Sequence, residues 1–226
     1  MQYITGIHGN ERVPVVALAS IGVPQIVANE RALAINQRFI DTDMNRSFGR
    51  DGHCYEIDRA REVLESLTDE PLIDFHTMSA DSEPFSIVVD KKMIPLAKTL
   101  GLPVVYMKRN IKKGYSLINH HDGVSVEAGI HDTQEAYDMT KLIHRRAEFG
   151  AEIDVDVYEV YDKIIEPGVY KNFVEQDGFY PVLAGERAYD FFGLKAKKVY
   201  GVVGNTKVSK TFVPGSSPGR PAKGVI

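Results

Sequence analysis

From Met1 to Gly150, short apolar segments alternate with segments of helical periodicity. That alternation restricts the chain to an α/β sheet covered on both faces by helices. Met1 to Ile7, Gln25 to Ala28, Leu72 to Phe75, Phe85 to Val89, Val104 to Met107 and Val124 to Val126 read as strands. Glu11 to Ser20 reads as a helix, with Pro14 in its first turn, where a missing N–H costs least. Glu56 to Leu67 places Ile57, Ala60, Leu64 and Leu67 on one face at helical spacing, and Met93 to Leu100 is a further helix closed by Gly101. Asp132 is an N-cap candidate with Glu135 three residues on, the capping-box arrangement, ahead of a helix whose apolar stripe is Ala136, Met139, Leu142, Ile143 and Ala147. Asn29 to Ile35 fits either state.

After Gly150 the texture changes. Val155 to Tyr161 and Val169 to Phe173 are β-like, and turns recur at Pro167-Gly168, Asp177-Gly178 and Gly204-Asn205. The expected organisation is a catalytic domain over residues 1–150 and a small β-rich C-terminal domain over residues 151–226, with Pro214 to Lys223 irregular. There is no internal repeat.

Hydrophobic residues make up 43% of the 226 positions and charged residues 26%, a globular balance. A net charge of −4 carries no basic excess for nucleic acid or anionic membrane, so neither is an expected partner. The weakly charged run from Val13 to Ala28 is interrupted by Pro14, Gly22 and Pro24 and falls short of a membrane span. The chain opens on a polar loop where a secretory signal would carry its apolar core, and Cys54 is the single cysteine. A reducing cytoplasm is the expected compartment.

Gly6-Ile7-His8-Gly9-Asn10-Glu11 follows the first strand and sets an imidazole and a carboxylate three positions apart. Asp74-Phe75-His76 ends another strand with a second imidazole. Two His and one Glu form a known catalytic zinc set that leaves one position open, and strand ends are where open α/β sheets bind ligands. A His-x-x-Glu pair is weak alone: His53-Cys54-Tyr55-Glu56 repeats it in what reads as a surface turn. A rival cluster of His120, His121, Asp122 and His131 reads more simply as a solvated loop, and His144, beside Arg145 and Arg146, as a solvated helix residue.

Glu127 ends an apolar strand, where a carboxylate is costly unless used or paired; it is either a general base or a salt-bridged Glu. Arg38 and Arg46 lie eight residues apart, with Asn45 beside Arg46. Guanidinium and amide groups suit the grip of a carboxylate. The alternative is structural, with Arg46 paired to Asp43 and Arg38 to Asp41.

In order, Gly-Ile-His-Gly-Asn-Glu, Asp-Thr-Asp-Met-Asn-Arg-Ser-Phe, Asp-Phe-His-Thr and Val-Glu-Ala-Gly resemble the aspartoacylase and succinylglutamate desuccinylase family, related to the zinc carboxypeptidases. The resemblance spans Gly6 to Gly129 and resumes at Gly185-Glu186-Arg187-Ala188-Tyr189. It implies a carboxypeptidase-like mixed sheet flanked by helices, and one Zn2+ per chain on His8, Glu11 and His76. It further implies Glu127 as base, Arg38 as the residue polarising the scissile carbonyl, Asn45 and Arg46 holding a substrate carboxylate, and Tyr189 as a substrate contact. The implied activity is deacylation of an N-acyl, acidic amino acid by a homo-oligomer. A desuccinylase, a carboxypeptidase or amidase acting on short peptides, and a non-catalytic zinc binder with a degenerate site are the alternatives.

Two departures leave the acyl-amino-acid preference open. The stretch Lys112-Lys113-Gly114-Tyr115-Ser116-Leu117 has no counterpart of the family's additional substrate-binding arginine, with Lys112 or Tyr115 as its substitute. Thr77-Met78-Ser79 replaces the usual Asn-Thr-Thr run.

Overall fold

A computed structural model describes residues 1–108, 114–186 and 191–199. Tyr189, Lys112, Lys113 and the Gly204-Asn205 and Pro214–Lys223 segments lie outside the described residues. The strands are β1 (Gln2–Thr5), β2 (Ile26–Val27), β3 (Leu72–Met78), β4 (Phe85–Val88), β5 (Val104–Tyr106), β6 (Gly123–Ile130), β7 (Val157–Ile164), β8 (Tyr180–Val182) and β9 (Gly193–Val199). The helices are α1 (Arg12–Ser20), α2 (Glu30–Ala34), α3 (Tyr55–Ser66), α4 (Ile94–Thr99) and α5 (Gln134–Phe149).

Among the described residues the strands form one nine-stranded mixed sheet, in the order β2-β1-β3-β6-β4-β5-β7-β9-β8. The strands from β2 to β6 in that order run parallel, and β4 turns antiparallel against β6. The β-rich segment after Gly150 joins this same sheet, because β7 pairs in parallel with β5, Val104 opposite Val157.

The sheet separates two apolar layers. Leu72 packs on the face covered by α3, with Ala60 and Val63. Ile73 and Phe75 turn to the opposite face, with Leu18 of α1, Ala97 of α4 and Ile143 of α5. This is the period-two alternation of a strand buried on both sides. Each such aliphatic or aromatic side chain contributes roughly 1.5–3 kcal/mol on burial.

Four local expectations change. β3 does not stop at Phe75. It runs to Met78, because its ladder with β6 continues through His76 to Met78 after the pairing with β1 ends at Asp74, so His76 lies inside the strand. The cap of α5 is Thr133, whose hydroxyl accepts the Ala136 N–H at 3.2 Å; Asp132 takes φ 56°, a turn conformation that an N-cap does not adopt. No strand forms over Val169–Phe173: Val169 is 96% exposed and Phe173, at φ 63°, leaves the extended region to pack its ring against Phe85 and Tyr158. His144 is not solvated but stacks edge-on against the Tyr3 ring at 5.0 Å, and that desolvation lowers its pKa. The Asp177-Gly178 turn forms as expected, with positive φ at both residues and Gln176 bridged to Phe179.

Candidate metal centre and active site

The loop that leaves β1 carries His8 and Glu11, and β3 carries His76 in from the neighbouring strand. Glu11 lies at the centre, with Oε1 2.7 Å from His8 Nδ1 and Oε2 2.8 Å from His76 Nδ1. All three side chains are buried, and one ligand atom from each lies within 4.8 Å of the others. The far nitrogen of each ring meets a carboxylate: His8 Nε2 lies 3.1 Å from Asp43 Oδ1 and His76 Nε2 2.9 Å from Asp74 Oδ2. A carboxylate at Nε2 holds the proton there and presents the Nδ1 lone pair, the carboxylate–histidine arrangement that orients metal ligands.

The donor set fits a divalent cation. Two imidazoles and one carboxylate suit zinc, and the surrounding charge calls for a positive centre. Burial opposes ionisation of Glu11, but the imidazoles of His8 and His76 overcome it and hold the carboxyl well below its usual range. Burial likewise opposes the charged form of His76, yet Asp74 and Glu11 raise its pKa well above the usual value. Asp43 is held low against its own burial by His8, then Arg38 and Arg46.

Strand register places the candidate base. His76 pairs with Glu127, and Asp74 with Ser125, across β3 and β6. Residues paired in parallel register project to the same face, so Glu127 stands beside the candidate ligand His76. Glu127 does not terminate β6, which continues to Ile130.

Arg38 resolves its alternatives in an unforeseen way. It pairs with Asp43 and not Asp41, Nη2 to Oδ2 at 2.9 Å, and its Nη1 reaches within 3.9 Å of Glu11. Asp41 instead accepts the Tyr55 N–H at 3.0 Å. Asn45 and Arg46 form a short 3-10 turn whose preceding residue, Asp43, accepts the Asn45 N–H at 2.9 Å. A cleft of about 300 Å³ brings together His8, Glu11, His76, Glu127, Arg38, Asn45 and Arg46. Tyr115 is not part of that lining, and its carbonyl accepts the Phe48 N–H at 3.2 Å.

The rival cluster separates. His120 Nε2 lies 2.9 Å from the Gly114 carbonyl and His121 Nε2 2.7 Å from that of Thr68. His131 instead lines the cleft, 2.7 Å from Thr77 Oγ1. The His53 side chain is 88% exposed, as its surface reading requires.

Residue-by-residue reading missed Asp74, Asp43, His131 and Glu186 as parts of the site. Asp74 had a signal: two residues before His76 in a strand, it must share that residue's face. Glu186 accepts the backbone N–H groups of Ser79 and Ala80, each at 3.1 Å, and so fastens the wall that follows β3. Its signal was the same Gly185–Tyr189 element that pointed to Tyr189.

One expected outcome follows from these contacts. His8→Ala should lose zinc and keep its fold, because Glu11 retains His76 and Asp43 retains Arg38. Metal analysis together with the melting temperature checks it; a zinc-loaded variant would remove His8 from the ligand set.

No helix among the described residues is long and apolar enough to cross a membrane. Murine aminoacylase 3 superposes with a TM-score of 0.68 at 17% identity, over 88% of this chain and 95% of that one. The succinylglutamate desuccinylase of Chromobacterium violaceum superposes with a TM-score of 0.71 at 14% identity, over 89% and 85%. These likenesses show the fold: the mixed α/β sheet with flanking helices. In sequence, the chain is 29% identical over 168 residues to a protein named "Probable aspartoacylase" from Prochlorococcus marinus subsp. pastoris, covering 63% of this chain and 56% of that protein. A second protein of that name, from Prochlorococcus marinus strain AS9601, is 25% identical over 194 residues, covering 72% and 64%. The chain therefore spans less than two thirds of the length of either relative. Residues 3–143, more than half of the chain, match the model of the succinylglutamate desuccinylase/aspartoacylase catalytic domain, and the chain belongs to that family.

Proposed function

We propose that the protein is a zinc-dependent deacylase that hydrolyses the amide bond of an N-acyl amino acid. The observation that carries this reading is the convergence of His8 Nδ1, His76 Nδ1 and Glu11 beside Glu127, the register partner of His76. Zinc held by His8, Glu11 and His76, one per chain, supplies Lewis-acid charge next to the scissile carbonyl. Glu127 takes a proton from the attacking water, whose oxygen bonds to the carbonyl carbon. Arg38 donates to the oxygen that gains negative charge, where a fixed cation contributes most. Glu127 then passes the proton to the departing nitrogen as the C–N bond breaks, and the second proton of the water moves from the new acid to the amine, which leaves a carboxylate and an ammonium group. Asn45 and Arg46 hold the substrate through its carboxylate. Tyr189 is a further substrate contact on the resemblance alone.

An acidic amino acid bearing an acetyl or succinyl group is the substrate class that the family relation supports. The same relation and the single cysteine favour a cytoplasmic homo-oligomer whose catalytic part ends near residue 150.

Purified protein is expected to carry close to one zinc per chain and to release acetate or succinate from an N-acyl acidic amino acid. Short peptides belong in the same panel, since preferential cleavage there would point to a peptidase. Zinc-loaded protein that hydrolyses no panel member would leave a binding protein and overturn the deacylase reading.

A further inference from the structure

We propose that Glu56, a carboxylate outside the cleft, is a positioning residue that sets Arg38 and Asp43 relative to the metal centre; the proposal rests on the deacylase reading for the role of Arg38. Glu56 lies in the first turn of α3 and is 0% exposed. Its Oε1 accepts the Ile40 N–H at 2.6 Å and the Asn29 side-chain amide at 3.3 Å. Its Oε2 accepts the N–H groups of Asp41 at 3.0 Å and Thr42 at 3.2 Å. Three successive backbone donors therefore close on one acceptor-only group, an anion nest with the anion supplied by the protein itself.

Asp41, Cys54 and Glu56 are close enough together to suggest a second metal group. The contacts of Glu56 assign it otherwise, because both oxygens already hold the 40–42 backbone.

The clamped segment is short, and functional side chains flank it. Arg38 stands two residues before the nest and Asp43 directly after it, and the two close on each other at 2.9 Å. Asp43 then reaches His8 at 3.1 Å and caps the turn that carries Asn45 and Arg46. The clamp is reciprocal, since Asp41 accepts the Tyr55 N–H at the start of the same helix. Asn29 ties the nest to the metal loop, its own N–H donating to the Gly6 carbonyl at 2.9 Å. Rotation or withdrawal of the Glu56 carboxylate would release the backbone between the arginine and the aspartate, and with it the distance from Arg38 to Glu11.

Glutamine at this position has the same shape but turns one acceptor into a donor that faces donors. The test is a double-mutant cycle on the full chain with E56Q, R38A and E56Q/R38A, reading kcat, KM, zinc affinity by chelator competition and melting temperature. E56Q is expected to lower kcat by about 10²-fold, the scale of a misplaced catalytic group. In zinc-saturated protein the double variant is expected to be slower than R38A by far less than about 10²-fold, because the larger share of the E56Q loss passes through Arg38 and only the Asp43 contacts remain to be disturbed. Independent, multiplying losses, which a merely stabilising residue gives, would overturn the proposal.

Should E56Q fail to fold, E56D takes its place in the cycle, with an acceptor on a stem one methylene shorter and a loss of about tenfold expected. Wild-type kcat in either variant also overturns the proposal. R61A, on the exposed side of the same helix and paired only to Asp58 and not to the loop, is the control expected to keep wild-type turnover. If the wild-type protein hydrolyses nothing, the deacylase reading fails by itself. The clamp is then read on zinc: through Asp43 and His8, E56Q should weaken binding about tenfold, and unchanged affinity would refute it.

Discussion

Glu127→Gln is expected to lower kcat by about 10²–10⁴-fold, the usual contribution of a positioned base, while zinc content and melting temperature stay at the wild-type level. The expectation comes from strand register. His76 and Glu127 are paired across β3 and β6, so the proposed ligand and the proposed base are set by one backbone ladder. Glutamine preserves the size and shape of the side chain, but its amide does not take a proton from water or return one to a leaving amine. The loss should fall on kcat, with KM little changed, because the proposed reading assigns the substrate carboxylate to Asn45 and Arg46 and not to Glu127. Steady-state rates on the best N-acyl substrate, measured on variant protein with its metal content determined, decide it. Full turnover in Glu127→Gln would take the base assignment away from this residue.

Periodicity and punctuation made much of the fold legible. The alternation before Gly150 gave the α/β class, and the expected strand ends pointed to His8 and Glu11 on one segment and to His76 on another, although His76 lies inside β3 and not at its end. Backbone pairing was not legible, because β6 follows β3 by more than forty residues and yet lies against it, with β4 and β5 placed outside. That insertion sets Glu127 beside His76. Nothing local marks it.

The carboxylates behind the ligands were hidden for the same reason. Asp43 read as a structural salt-bridge partner of Arg46, whereas it reaches His8, and Glu56 read as the acid of a chance His-x-x-Glu repeat at the start of a helix. His131 belonged on paper to a loop cluster, but the chain turns at Asp132 and leaves it facing Thr77. Hydrophobic pattern fixes the face of an element; which polar groups meet across the sheet follows from topology.

The second large effect is expected at Gly9, between the two ligands of the first loop. A Cβ added there would lie 2.1 Å from the backbone carbonyl carbon of Ala32 and 2.4 Å from the carbonyl oxygens of both Ala32 and Gln37. These are backbone atoms of α2 and of the loop that follows it, with no rotamer to move aside. Gly9 also donates its N–H to the Arg38 carbonyl at 3.2 Å, so a shift of the loop carries the arginine with it. Gly9→Ala must therefore displace His8 and Glu11 or push α2 away from the sheet. Either route places it in the overpacking class, at about 3 kcal/mol or more. For a chain of this size that corresponds to a fall in melting temperature of roughly 6–12 °C. Zinc affinity should fall by more than about 100-fold, beyond the roughly 10–100-fold cost of losing a carboxylate behind a ligand, because two of the three proposed ligands ride on the displaced loop. Calorimetry and chelator competition on the same preparation separate the two effects. Wild-type values in both would mean that the loop has room that the packing of Ala32 and Gln37 denies it, and the rigid placement of His8 and Glu11 would have to be abandoned.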